Sequence, residues 1–150
     1  MGRTIAFATL IAGSLDILFA AILSMIFGRG PEAMLRTVAS GPFPSATEWG
    51  AAGSALGLLV HFSLMAIMAA VFVIAAAERP ALLRKPIPTG ILYGLATYVV
   101  MNWIVVPLRF DTPLPPKPLS IATQLFAHIV LVGIPIALIA AKKLRPPAIA

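Results

Sequence analysis

Residues 50–77 read GAAGSALGLLVHFSLMAIMAAVFVIAAA, a run with no Asp, Glu, Lys or Arg and one titratable side chain, His61. A bilayer's hydrocarbon core is crossed by about 20 apolar residues in a helix, and this run would extend ~42 Å at the helical rise. Hydrocarbon offers no partner to an unpaired backbone N–H or C=O, so such a run must be helical. Residues 4–27, 89–108 and 119–141 have the same character. The fold expected is therefore all-α: one integral membrane domain over residues 1–150, a four-span transmembrane helix bundle.

Composition agrees. Of 150 residues, 60% are hydrophobic and 11% charged, and the mean hydropathy is +1.00. A soluble domain carries about 25% charged residues, so too little polar sequence is present to cover one. The same numbers exclude a disordered chain. The net charge is +6, but the basic residues sit singly or in short groups at the ends of the apolar runs. That placement suits bilayer headgroups and topology rather than nucleic acid, so the partner expected is the lipid bilayer. No cysteine is present, which removes disulfides, thiolate catalysis and cysteine metal sites. Residues 4–27 follow Arg3 as a signal peptide would, but the run is long, carries Asp16 at its middle and lacks a clear cleavage site, so it is expected to be retained.

The connections differ. Between the first two runs, Gly30-Pro31-Glu32 opens a short interfacial helix through Ala39, with Pro31 at a first helical position and Glu32 at the positive dipole end. Leu35 and Val38 would rest on the membrane surface. Gly41-Pro42-Phe43-Pro44 stops that helix, and Ser45-Ala46-Thr47-Glu48 has the form of a capping box for the next span, with Trp49 as an interfacial anchor. Residues 109–118 are Pro-rich and expected to be extended. Pro107 and Pro135 should end or kink their helices. Arg3, Arg79, Arg84, Lys85, Lys142, Lys143 and Arg145 fall at one set of span ends, and Arg29, Arg36, Arg109 and Lys117 at the other. Seven against four places both termini in the cytoplasm.

Small and polar residues recur at steps of four, which keeps them on one helix face: Ala8, Ala12, Asp16, Ala20 and Ser24; Gly53, Gly57 and His61; Gly90, Gly94, Tyr98 and Asn102; Ser120, Gln124 and His128. Small residues let helix backbones approach, so Gly53, Gly57, Gly90 and Gly94 are read as packing positions. Met65 and Met68 are read as packing residues too. Trp103 is either an interfacial anchor or a cover over Asn102.

The stripes also carry Asp16, His61, Asn102, Gln124 and His128 into the membrane. An ionisable group at mid-membrane costs about 2.5–3.5 kcal/mol on insertion scales. Asp16 stands eleven residues from Phe27, His61 eleven from Gly50 and His128 nine from Leu119, or ~16, ~16 and ~14 Å below one surface. Asn102, six from Leu108, lies ~9 Å below it. A buried polar cluster is expected. Three chemistries remain open for it. It is a structural hydrogen-bond network or a proton-handling site. It is a divalent-metal site (Zn, Fe or Mn) on Asp16, His61 and His128. Or it is a haem site with the histidines as axial ligands. No nucleophile, base and orienter stand together in the pattern, so the reading leans away from an enzyme.

The order His61-Phe62-Ser63, Ala77-Glu78 with Pro80, Gly90 and Gly94, Pro107-Leu108, Pro113 to Pro116, and His128-Ile129-Val130 resembles the YagU-like bacterial inner-membrane proteins over about half the chain. That resemblance implies an inner-membrane location and a link to survival under acid stress. Small multidrug-resistance transporters are similar in having four spans and an acidic residue in the first, where Asp16 stands. This second likeness implies a small-solute transporter working as a homodimer.

Overall fold

A computed structural model describes residues 1–144, and Arg145 of the basic count lies outside them. Four helices are long and apolar enough to span a membrane: α1 (Gly2–Ile26), α3 (Gly50–Glu78), α4 (Pro86–Phe110) and α5 (Pro118–Leu144). The short helix α2 (Pro31–Ala39) lies between the first two. Spans and short helix stand where the apolar runs and Pro31 place them, and the chain is a four-span helical membrane protein.

One local expectation fails. The Ser45–Glu48 capping box does not form. Residues Pro44–Glu48 close into a 3-10 turn, and α3 starts at Gly50 with no side-chain cap. Gly50 has φ +54°, a left-handed backbone between turn and helix. The short α2 packs on the first turns of α3, where a Cβ on Gly57 would run into the Leu35 carbonyl, and one on Gly53 would run into the Ala46 carbonyl of the turn. The Ser54 hydroxyl donates to the Glu32 carbonyl at 3.0 Å. The Gly53–Gly57 seam therefore receives the α2 segment and not another span.

Arg109, at the end of α4, binds the chain where α2 ends. Its guanidinium donates to the Gly41 carbonyl and, at 2.7 Å, to that of Ser40. A cation on the last carbonyls of a helix satisfies orphan acceptors and complements the dipole. Arg109→Ala should speed amide exchange within α2 about fivefold, the equivalent of about 1 kcal/mol of local stability. Unchanged exchange there would show the tether to be idle.

The prolines in α4 and α5 do not end their helices, and both stand in α-helical turns. Each follows a π-helical segment, Val100–Val105 before Pro107 and Ala127–Gly133 before Pro135. A proline ring collides with the carbonyl four residues back and cannot donate to it. Widening the preceding turns to π geometry moves that carbonyl aside, so the helix continues.

The other glycine seam joins two spans. A Cβ on Gly90 would lie 2.7 Å from the Ile134 Cα and 2.8 Å from the Gly133 carbonyl. One on Gly94 would collide with the His128 carbonyl and lie 2.6 Å from the Ile129 Cα. The main apolar core gathers Ala8 and Ala12 of α1, Met65 to Ala76 of α3, and Val132 to Ala141 of α5, with Leu83 of the α3–α4 connection closing it. All of these lie in the half of the bundle away from α2. That half is called the Leu83 end below, and the other the α2 end.

Candidate functional site

His61 is the buried centre of the polar residues. It reaches its place because Gly53, Gly57, His61, Met65 and Ala69 form one buried face of α3. Its Nε2 lies 2.9 Å from the Gly13 carbonyl of α1. A carbonyl only accepts, so Nε2 carries a proton and donates it. Gly13 allows the approach of α3 here, since a Cβ would stand 2.8 Å from the Phe62 ring.

The other ring nitrogen then decides the chemistry. His61 Nδ1 faces Asp16 Oδ2 at 3.9 Å. In a neutral imidazole already protonated at Nε2, Nδ1 presents a lone pair, and a carboxylate oxygen presents another. Two lone pairs facing each other in a medium of low dielectric repel. One further proton removes the conflict, whether it sits on Nδ1 as an imidazolium or on Asp16 as a carboxylic acid. Asp16 has the more open side chain, 22% exposed against 10% for His61.

His128 of α5 lies within electrostatic range of Asp16. Its Nδ1 donates to the Gln124 carbonyl at 2.9 Å, which leaves Nε2 as its variable nitrogen. Tyr98 of α4 sets its ring edge-on to His128, with centroids 6.0 Å apart. The Tyr98 hydroxyl accepts from Trp103 Nε1 at 3.2 Å, so Trp103 supports Tyr98 rather than covering Asn102. Asn102 Nδ2 donates to the Tyr98 carbonyl of its own helix at 3.3 Å. Asn102 and His128 occupy the two π-helical segments and bond in the same way, each to the carbonyl four residues back. π-turns disturb the regular ladder, and these side chains supply donors to it.

The fold therefore joins Asp16 directly to His61 and sets His128 near them, while Asn102 serves its own helix and Gln124 contributes its main-chain carbonyl. Among the described residues, no three His, Cys, Asp or Glu side chains are arranged to hold a metal ion. Gly13, Tyr98 and Gly133 have roles that the sequence reading did not assign. Tyr98 stood on the α4 stripe beside His128's partner glycine, which is the signal that could have found it. Gly13 and Gly133 are single glycines without a stripe of their own, and only the helix pairing reveals them.

Fold and site define a small four-span helical membrane protein with a buried histidine–aspartate ion pair. No family model, curated protein or solved structure matches the chain.

Proposed function

We propose that this chain is a non-enzymatic membrane protein that takes up and releases a proton at the Asp16–His61 pair, with His128 as its neighbouring acceptor. One observation carries the reading: Nε2 of His61 is committed to the Gly13 carbonyl, so the nitrogen facing Asp16 is the one whose protonation can change. Mid-membrane carboxylates and imidazoles in contact are the parts from which proton relays are made. The inner-membrane location, the cytoplasmic termini and the link to acid stress that the YagU-like resemblance implies belong to this proposal. A protonatable pair inside a bilayer is a natural sensor or carrier under acid conditions.

A second reading has its own observation. The His61–Gly13 hydrogen bond joins α1 to α3, and the pair would then only fix helix register. Proton uptake separates the two. Acidifying the folded wild-type protein in mild detergent from about pH 8 to about pH 5 should draw about one more proton from solution than acidifying the folded Asp16→Asn variant does. Equal uptake by the two proteins would sink the proton reading and leave the register clasp.

A further inference from the structure

The residues one helical turn to either side of the site divide sharply. Toward the Leu83 end, one turn from Asp16, His61 and His128, stand Ala12, Met65 and Val132, exposed by 0, 3 and 2%. Toward the α2 end stand Ala20, Gly57 and Gln124. Ala20 and Gln124 are half-buried, and Gly57 is buried against the Leu35 backbone of α2. The contrast persists outward. Past Gly13 no residue of α1 is buried, past Tyr98 none of α4, and before Ala127 none of α5, while α3 keeps Gly53 and Gly57 buried beneath α2 and the Pro44–Glu48 turn. The Leu83 end, by contrast, holds the whole alanine-rich core and is closed by Leu83 itself.

We infer that the Asp16–His61–His128 level exchanges protons with water at the α2 end alone, and that the Leu83 half is a dry seal. This rests on the proton reading above and adds the side from which the proton arrives. A close-packed apolar core leaves no room for a water file. The α2 half, in contrast, presents Ser24, Asn102, Thr123 and Gln124 partly open, side chains that water can solvate. Beside the Tyr98–His128 contact, Phe19 of α1 meets Phe126 of α5 across the spans, with centroids 5.2 Å apart. Phe19 lies one turn from Asp16 toward the α2 end, and Phe126 two residues before His128. The pair is placed to narrow that route without sealing it.

The groups facing the site are few. Asp16 comes from α1, His61 from α3, His128 from α5 and Tyr98 from α4. On α2 the nearest charged side chain is Arg36, whose stem lies against Gly53, two turns from His61 toward the α2 end. Among the described residues nothing charged faces the site from the Leu83 half. Its buried hydroxyls include Thr97, which donates to the Gly94 carbonyl at 3.0 Å, and Thr9, which has no hydrogen-bond partner among the described residues; Tyr93 is committed to the Met68 carbonyl at 2.7 Å.

Because the chain has no cysteine, single thiols report access without background. Ala20→Cys and Gln124→Cys probe the α2 half, and Ala12→Cys and Val132→Cys the Leu83 half. Val132→Cys shrinks a side chain, so it serves if Ala12→Cys fails to fold. Ser45→Cys and Lys85→Cys mark the two membrane sides. The full chain in sealed membranes is treated with a charged, membrane-impermeant thiol reagent from each side in turn. Positions 20 and 124 should react from the side that labels position 45, at least about tenfold faster than position 132 from either side, since buried thiols are inert. Lipid filling the α2 half would leave 20 and 124 unreactive, and a path through the bundle would label 132; either result overturns the one-sided route. Proton uptake by the same variants is read separately: labelling at 20 with no proton response in the unmodified chain would retain the route and remove the proton reading.

Discussion

Gly94→Leu should prevent the bundle from assembling, at a cost above about 3 kcal/mol, because the added side chain meets backbone that has nowhere to go. At position 94 a Cβ collides with the His128 carbonyl and lies 2.6 Å from the Ile129 Cα. A flexible side chain could turn aside, but here α5 itself would have to move. It is pinned on its other faces by the core of Ile136, Ala137 and Ala140, all fully buried. Moving it would also displace His128 from Asp16. Leu92→Phe, two residues away on the opposite face of α4 and 68% exposed, should be nearly neutral. The measurement is yield and unfolding midpoint in mild detergent. Equal stability of the two variants would mean that α4 and α5 do not meet along this seam. Gly57→Leu should cost less than Gly94→Leu, since it displaces only the nine-residue α2.

These two glycines show how far the sequence could be read. Four apolar runs, a proline-started short helix and stripes of small residues are local signals, and each became the element it announced. The lipid requirement for an internally bonded backbone leaves little choice once a run is long enough. What a stripe meets is not local. Gly53 and Gly57 are packing positions as read, but only the fold shows that the short α2 and the Pro44–Glu48 turn fill that seam. Gly90 and Gly94 face Gly133 and the backbone of His128, which no spacing along α4 could name.

The π-helical segments were hidden for a related reason. Pro107 and Pro135 announce a disturbance, but whether the helix breaks, bends or widens depends on packing against its neighbours. The capping box failed because Pro44 begins a 3-10 turn and Gly50 takes a left-handed backbone, two choices that outweigh a Ser–Glu pair of modest worth. Depth counting placed Asp16 and His61 at one level, and they do meet. It could not show that Asn102 turns back on its own helix. Nor could it show that the bundle is tight on one side of that level and loose on the other, since alanines at both ends look alike in a hydropathy profile.

Asp16 and His61 should be energetically coupled. His61→Ala removes the donor to the Gly13 carbonyl and leaves Asp16 without its partner in the membrane, for a loss of about 2–3 kcal/mol. The value is held below that of a fully buried pair because Asp16 is 22% exposed and can be solvated or neutralised. Asp16→Asn keeps the shape and offers an amide N–H toward the lone pair of His61 Nδ1, so it should cost at most about 1 kcal/mol. In the Asp16→Asn, His61→Ala double variant no carboxylate remains to be stranded. Its loss should therefore fall short of the sum of the single losses by about 1–2 kcal/mol, the range found for residues in direct contact. Unfolding free energies of the four proteins in one detergent measure the term. Additivity to within about 0.5 kcal/mol would mean that the two side chains act independently, and the 3.9 Å approach would then hold no shared proton. His128→Ala should perturb this cycle only weakly, because the Nδ1 of His128 is bound to its own helix and its influence on Asp16 is one of charge at a distance.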